Sequence, residues 1–131
     1  MYQKYPFATG GYAPYPLSFS QPHDRVTDET AEVRALVPGH RLLTTPNAIG
    51  PADYAGWIQE RGLYFAGTRD AAYTPLLACH DPGETDKDGG LLVASLGKGR
   101  YVYCAYALFR QWPAGVPGAY RLLANLVSWD R

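Results

Sequence analysis

Two apolar runs rich in β-forming residues, Leu91 to Leu96 and Tyr101 to Leu108, flank the connection Gly97-Lys98-Gly99-Arg100. Glycine reaches the positive φ values that tight antiparallel connections require, so this spacing predicts a β-hairpin. Pro113 to Gly118 then interrupts the chain. Beyond it Ala119, Leu122, Leu123, Leu126 and Val127 recur at helical spacing after Pro117, a residue suited to a first helical turn. A hairpin followed by an amphipathic terminal helix places the chain in the α/β class.

The remaining segments read less sharply. Residues 1–22 carry Pro and Gly at intervals that forbid a helix, and their Tyr residues give apolar area for docking, so an extended, ordered arm is expected there. Residues 23–131 then form a single α/β domain. Glu32 to Val37 alternates well enough for a short strand that Pro38-Gly39 stops. Pro51, followed by Tyr54, Trp57 and Ile58 on one helical face, predicts a short helix over 51–60 ended by Gly62. Leu63 to Phe65 and Tyr73 to Cys79 are strand candidates on either side of a turn at Thr68-Arg69-Asp70. His80 to Gly90, with its prolines, glycines and charges, reads as a solvated loop.

At 131 residues the chain is long enough to bury one core without covalent staples. Twelve basic residues balance twelve acidic ones, which removes the bulk electrostatic attraction that drives nucleic-acid binding. No apolar leader precedes the arm and no run of apolar residues is long enough to span a bilayer, so neither membrane insertion nor export is expected from these residues. Cys79 and Cys104 both sit in apolar runs, where a free thiol behaves as a small core residue, and no disulfide framework is indicated.

Several constellations invite a chemical reading. Cys79-His80 pairs a thiol with an imidazole, but neighbours on a strand face opposite ways, and no Gly-x-Ser-x-Gly or Gly-x-Cys-x-Gly elbow is present. Glu84-Thr85-Asp86-Lys87-Asp88-Gly89 begins like a calcium loop, yet its twelfth position is Ser95 and Lys87 sits among the carboxylates. His23, His40, His80 and the two cysteines lack the spacing of zinc ligands from one element. Gly97-Lys98-Gly99 leads into a strand, leaving no helix N-terminus to hold a phosphate. No cofactor is therefore expected. Arg25, Asp28, Glu29, Trp57, Arg61, Tyr64, Asp81, Glu84 and Arg110 form a polar-aromatic set suited either to a binding cleft or to intradomain ion pairs and half-buried rings. From it Trp57, Arg61, Tyr64 and Arg110 are the candidate ligand-binding residues, and Asp81 and Glu84, together with His80, are the candidate catalytic ones.

Five strings occur in order between residues 25 and 129: Arg25-Val26-Thr27-Asp28-Glu29-Thr30, Trp57 to Phe65, His80 to Glu84, Gly97 to Tyr103, and Phe109 to Arg121. Together they resemble the final portion of the class I glutamine-amidotransferase-like module at the C-terminus of some bacterial LmbE/PIG-L-type deacetylases, and the hairpin-helix end also looks like that of ThuA-like domains. The resemblance implies a partial flavodoxin-like mixed sheet and a link to carbohydrate metabolism. It implies no activity, because the amidotransferase cysteine elbow and the deacetylase zinc motif are missing and Phe109-Arg110 stands where the late histidine is expected. A sheet lacking its first strands leaves an edge and apolar faces to cover, so a homodimer or a second polypeptide completing the sheet is expected. Related fused proteins are often exported, whereas the absence of a leader here points to the cytoplasm. The leading expectation is a noncatalytic binding or assembly module with a carbohydrate or protein partner. The alternatives are a hydrolase using His80 with Asp81 and Glu84, and a structural fragment of a larger complex.

Overall fold

The computed structural model describes residues 11–129, and the first ten residues of the expected arm lie outside them. Among the described residues nine short strands, β1 (Leu17–Phe19), β2 (Arg25–Val26), β3 (Arg34–Ala35), β4 (Gly62–Leu63), β5 (Ala66–Arg69), β6 (Thr74–Pro75), β7 (Leu77–Ala78), β8 (Leu91–Leu96) and β9 (Gly99–Cys104), are joined by three helices. These are α1 (Arg41–Thr44), α2 (Leu108–Gln111) and the terminal α3 (Pro117–Val127), with one 3₁₀ turn at Pro51–Tyr54. The strands form small sheets, β1-β5, β2-β4, β3-β7 and β6-β8-β9. Every described strand pairing is antiparallel, and the described residues close no barrel. The chain is thus a mixed α/β protein with a C-terminal hairpin and a C-terminal helix.

The hairpin is the most regular unit, in register from Leu91 opposite Cys104 to Leu96 opposite Gly99, with Gly97 at φ 56° in the turn. β8 explains why its sequence is almost continuously apolar. Alternate residues of a strand face opposite ways, and here both faces are covered. Leu91 and Val93 enter the main core with Phe65, Leu76, Tyr106 and Leu122, while Leu92 and Ala94 enter a smaller one with Leu17, Tyr73 and Tyr103. The second strand begins two residues before Tyr101 and ends at Cys104, earlier than its apolar pattern predicts, because the chain turns into α2 from Leu108.

Residues 15–19 lie against this second core. β1 pairs with β5, the Tyr15 hydroxyl donates to the Ser95 carbonyl at 2.6 Å, and the Tyr73 hydroxyl donates to the Tyr15 carbonyl at 2.9 Å.

Between the arm and the hairpin the elements are shorter than their patterns suggest. The helix expected over 51–60 is a single 3₁₀ turn. Gly56 takes φ 71° directly after it and turns the chain away, while Tyr54 and Trp57 still pack together with ring centroids 5.8 Å apart. The Trp57 indole N–H donates to the Asp53 carbonyl at 2.9 Å, closing the turn from outside. The strand expected over Tyr73 to Cys79 is split at Leu76, because β6 pairs with β8 and β7 with β3. The strand expected over Glu32 to Val37 is reduced to Arg34–Ala35. The turn expected at Thr68-Arg69-Asp70 starts later, since β5 runs through Arg69.

α3 packs through Gly118, Ala119, Leu122 and Asn125. A Cβ on Gly118 would stand 1.9 Å from the Asp53 carbonyl oxygen, so only glycine lets the helix approach the 3₁₀ turn this closely. Val127, expected in the apolar stripe, is exposed, and Asn125 takes a core position. The Asn125 side chain donates to the carbonyls of Leu42 and Asn47 at 2.9 and 2.8 Å and accepts from the Asn47 N–H at 2.9 Å. This fully buried amide ties α3 to the α1 region and leaves none of these groups unsatisfied.

A candidate ligand-binding cleft

The β2-β4 pair sets Arg25 opposite Leu63 and Val26 opposite Gly62, and the Phe65 N–H donates to the Asp24 carbonyl at 3.0 Å. This pairing brings two distant segments, 22–27 and 63–64, to the wall of one open cleft of about 700 Å³, which Asp81, Glu84 and Lys87 also line. Tyr64 lies between β4 and β5 with φ 66°, in the left-handed region. That conformation costs a residue with a Cβ roughly 1–2 kcal/mol, so surrounding contacts must hold it. The Tyr103 hydroxyl donates to the Tyr64 carbonyl at 2.5 Å, the His23 ring lies 4.4 Å away between centroids, and Phe19 meets it edge-on at 6.4 Å. The result is a fixed, half-buried aromatic pair, His23 and Tyr64, among charged and hydroxyl groups.

Asp81 is committed to structure. One carboxylate oxygen accepts from the Thr27 N–H at 3.0 Å and the Thr27 hydroxyl at 2.9 Å, and the other accepts from the Asp28 N–H at 2.8 Å. Burial pushes this carboxyl up, but the hydrogen bonds from Thr27 and Asp28, with the Lys87 charge, more than offset it and hold it below its ordinary value. Asp28 repeats the device one step along. Its carboxylate accepts from the Thr30 hydroxyl at 2.7 Å and the Thr30 N–H at 2.8 Å, and these bonds hold it low. Asp81 therefore clamps the 27–30 loop and forms one wall of the cleft.

The residues expected to act with Asp81 do not converge on it. The His80 ring is exposed, its Nδ1 lies 3.0 Å from the Asp81 backbone carbonyl, and its Nε2 lies 3.9 Å from the Asp86 carboxylate. Glu84 lines the cleft but is paired with Lys87 at 2.5 Å. Cys79, unlike its exposed neighbour His80, is buried with its sulfur 3.4 Å from the Tyr106 hydroxyl, and burial pushes its thiol up. The carboxylates of the 84–89 loop are similarly taken, Asp86 by Arg34 and Asp88 by both terminal nitrogens of Arg69, at 2.9 and 2.6 Å. Among the described residues no three His, Cys, Asp or Glu side chains are grouped to hold a metal ion. No helix of the described residues is long and apolar enough to cross a membrane.

The four residues expected to bind ligand are divided between sites. Trp57 and Arg61 are buried beside a second pocket, in which the Arg61 guanidinium lies 5.6 Å from the Trp57 ring centroid and 5.9 Å from that of Tyr54. Arg110 binds the Glu60 carboxylate at 2.8 Å and the Gln59 side-chain carbonyl at 2.5 Å. It shares a small cavity of about 180 Å³ with Tyr64, which alone of the four also faces the large cleft. His23 and Asp24 complete the cleft and carry no local signal. Their place depends on strand pairing across nearly forty residues, which no local pattern records. Compared with known proteins, the chain matches no family model, no curated protein and no solved structure.

Proposed function

We propose that the chain is a noncatalytic binding module that holds a hydroxyl-rich ligand, an oligosaccharide, over the His23–Tyr64 pair. The observation that carries this reading is Tyr64 itself, a bulky residue held in the left-handed conformation with its ring against His23 at the open cleft. Strained, well-supported residues cluster at ligand clamps, and a flat ring with donors and acceptors beside it suits a sugar's apolar face and its hydroxyls. Asp24, Arg25 and Lys87 supply those polar groups. The absence of a converging base and nucleophile around His80 and Asp81 favours binding over hydrolysis.

The link to carbohydrate metabolism comes from the resemblance to the amidotransferase-like module and agrees with this chemistry. A glycan array probed with the intact chain tests it: retention of at least one oligosaccharide class, lost in Tyr64→Ala, is expected. Uniform lack of retention, or retention unchanged in Tyr64→Ala, contradicts the reading. Assembly with a second copy of the chain is part of the same proposal and rests on the exposed apolar side chains Phe109, Tyr120 and Val127 of α2 and α3. Light scattering after size exclusion should give a dimer mass, and a monomer at all concentrations removes this part.

A further inference from the structure

The second pocket, about 490 Å³ between the 29–33 loop and the 3₁₀ turn, is independent of the large cleft and has a different chemistry. Arg61 stands in its wall with only 4% of its surface exposed. Its Nε donates to the Ala31 carbonyl at 2.9 Å and its Nη1 to the Tyr54 carbonyl at 2.6 Å, while Nη2 has no acceptor among the described residues. No carboxylate of the described residues lies within ion-pair distance of it. A buried guanidinium whose direct hydrogen bonds go to neutral acceptors is incompletely compensated, and burial pushes its pKa down although the nearby Asp28 carboxylate acts against this.

Apolar groups make up much of the remaining wall: Val33, Pro51, Ala55 and the rings of Tyr54 and Trp57. Glu29 and Glu32 also line it, and the Glu29 carboxylate accepts from the Gln59 N–H. Two nearby carboxylates oppose a ligand bearing several negative charges, such as a phosphate ester, far more than one bearing a single charge. We propose that this pocket binds a small monocarboxylate with an apolar body, the carboxylate accepting hydrogen bonds from Arg61 and the body lying against Trp57, Tyr54 and Val33. The ligand supplies a directly hydrogen-bonded counter-charge, where the Asp28 carboxylate acts on Arg61 only from beyond ion-pair distance.

Phenylacetate, its neutral analogue phenylacetamide, and inorganic phosphate discriminate the chemistry when each is titrated into isotope-labelled protein. The side-chain resonances of Arg61 Nε–H and Trp57 Nε1–H are the readout. Phenylacetate is expected to move both saturably in the millimolar range or below, with the amide and phosphate leaving them in place. Ala55→Phe, a change at an exposed wall position, is expected to abolish the shifts while leaving the fold intact. Glu32→Gln is expected to tighten phenylacetate binding roughly two- to fivefold by removing one like charge. Equal shifts from phenylacetamide or phosphate, no response to phenylacetate, or unchanged binding in Ala55→Phe would each overturn the assignment.

Discussion

Removing the Asp81 carboxylate separates a structural clamp from a catalytic base. In Asp81→Ala three donors, the Thr27 N–H, the Thr27 hydroxyl and the Asp28 N–H, lose their acceptor together. Hydrogen bonds to a charged group contribute about 1.5–3 kcal/mol each when buried. The Thr27 side of this clamp is exposed to water, so a total of about 2–4 kcal/mol is expected rather than the full sum. Asp81→Asn keeps one acceptor oxygen and turns an NH₂ toward the remaining donors, so it should lose roughly half as much. The pH dependence has a definite sign. The folded carboxyl titrates below its ordinary 3.8, so its stabilisation is complete above the unfolded value and disappears as pH falls through the lower folded one. Urea unfolding at neutral pH and near pH 3 reads both effects. The gap between the parent chain and Asp81→Asn should be widest at neutral pH and shrink in acid. An Asp81→Ala variant within about 0.5 kcal/mol of the parent, the range of an ordinary surface change, or a gap that widens in acid, would refute the clamp.

Other outcomes follow from the same packing. Asn125→Ala strips the carbonyls of Leu42 and Asn47 and the Asn47 N–H of their partner inside the core, and denaturant melts should record a loss of about 3–5 kcal/mol. Gly118→Ala drives a methyl to 1.9 Å from the Asp53 carbonyl, so the helix must move, and thermal melts should show a large fall in midpoint, whereas the same change at exposed Gly39, with open space around it, should be nearly silent. Cys79, buried against Tyr106 with its thiol pushed up, should resist an aromatic disulfide reagent in the folded chain and react once urea unfolds it.

What could be read from the sequence was the local part of the fold. The hairpin at Gly97 and the helix opened by Pro117 depend on neighbours a few residues apart, and both are present. The 51–60 pattern is helical in its apolar spacing, but Gly56 takes a left-handed conformation that the spacing cannot register, and one 3₁₀ turn remains. The division of Tyr73 to Cys79 between two sheets is equally invisible, since a doubly paired run and a continuous strand have the same apolar residues. At the site, residue type pointed to Tyr64, Asp81 and Glu84 as cleft residues, and they share one. It did not separate Arg61 and Trp57 from them, because burial of an arginine on backbone carbonyls and rings leaves no trace in the sequence. His23 enters only through the β2-β4 pairing.

The cleft over His23 and Tyr64 is proposed as the place where the chain meets its ligand. Titrating isotope-labelled protein with an oligosaccharide retained on the glycan array tests it directly. Saturable shifts concentrated at His23, Asp24, Thr27 and Tyr64 are expected, with the Arg61 and Trp57 side-chain signals unmoved. Shifts that gather elsewhere on the molecule and leave His23 and Tyr64 in place would contradict it.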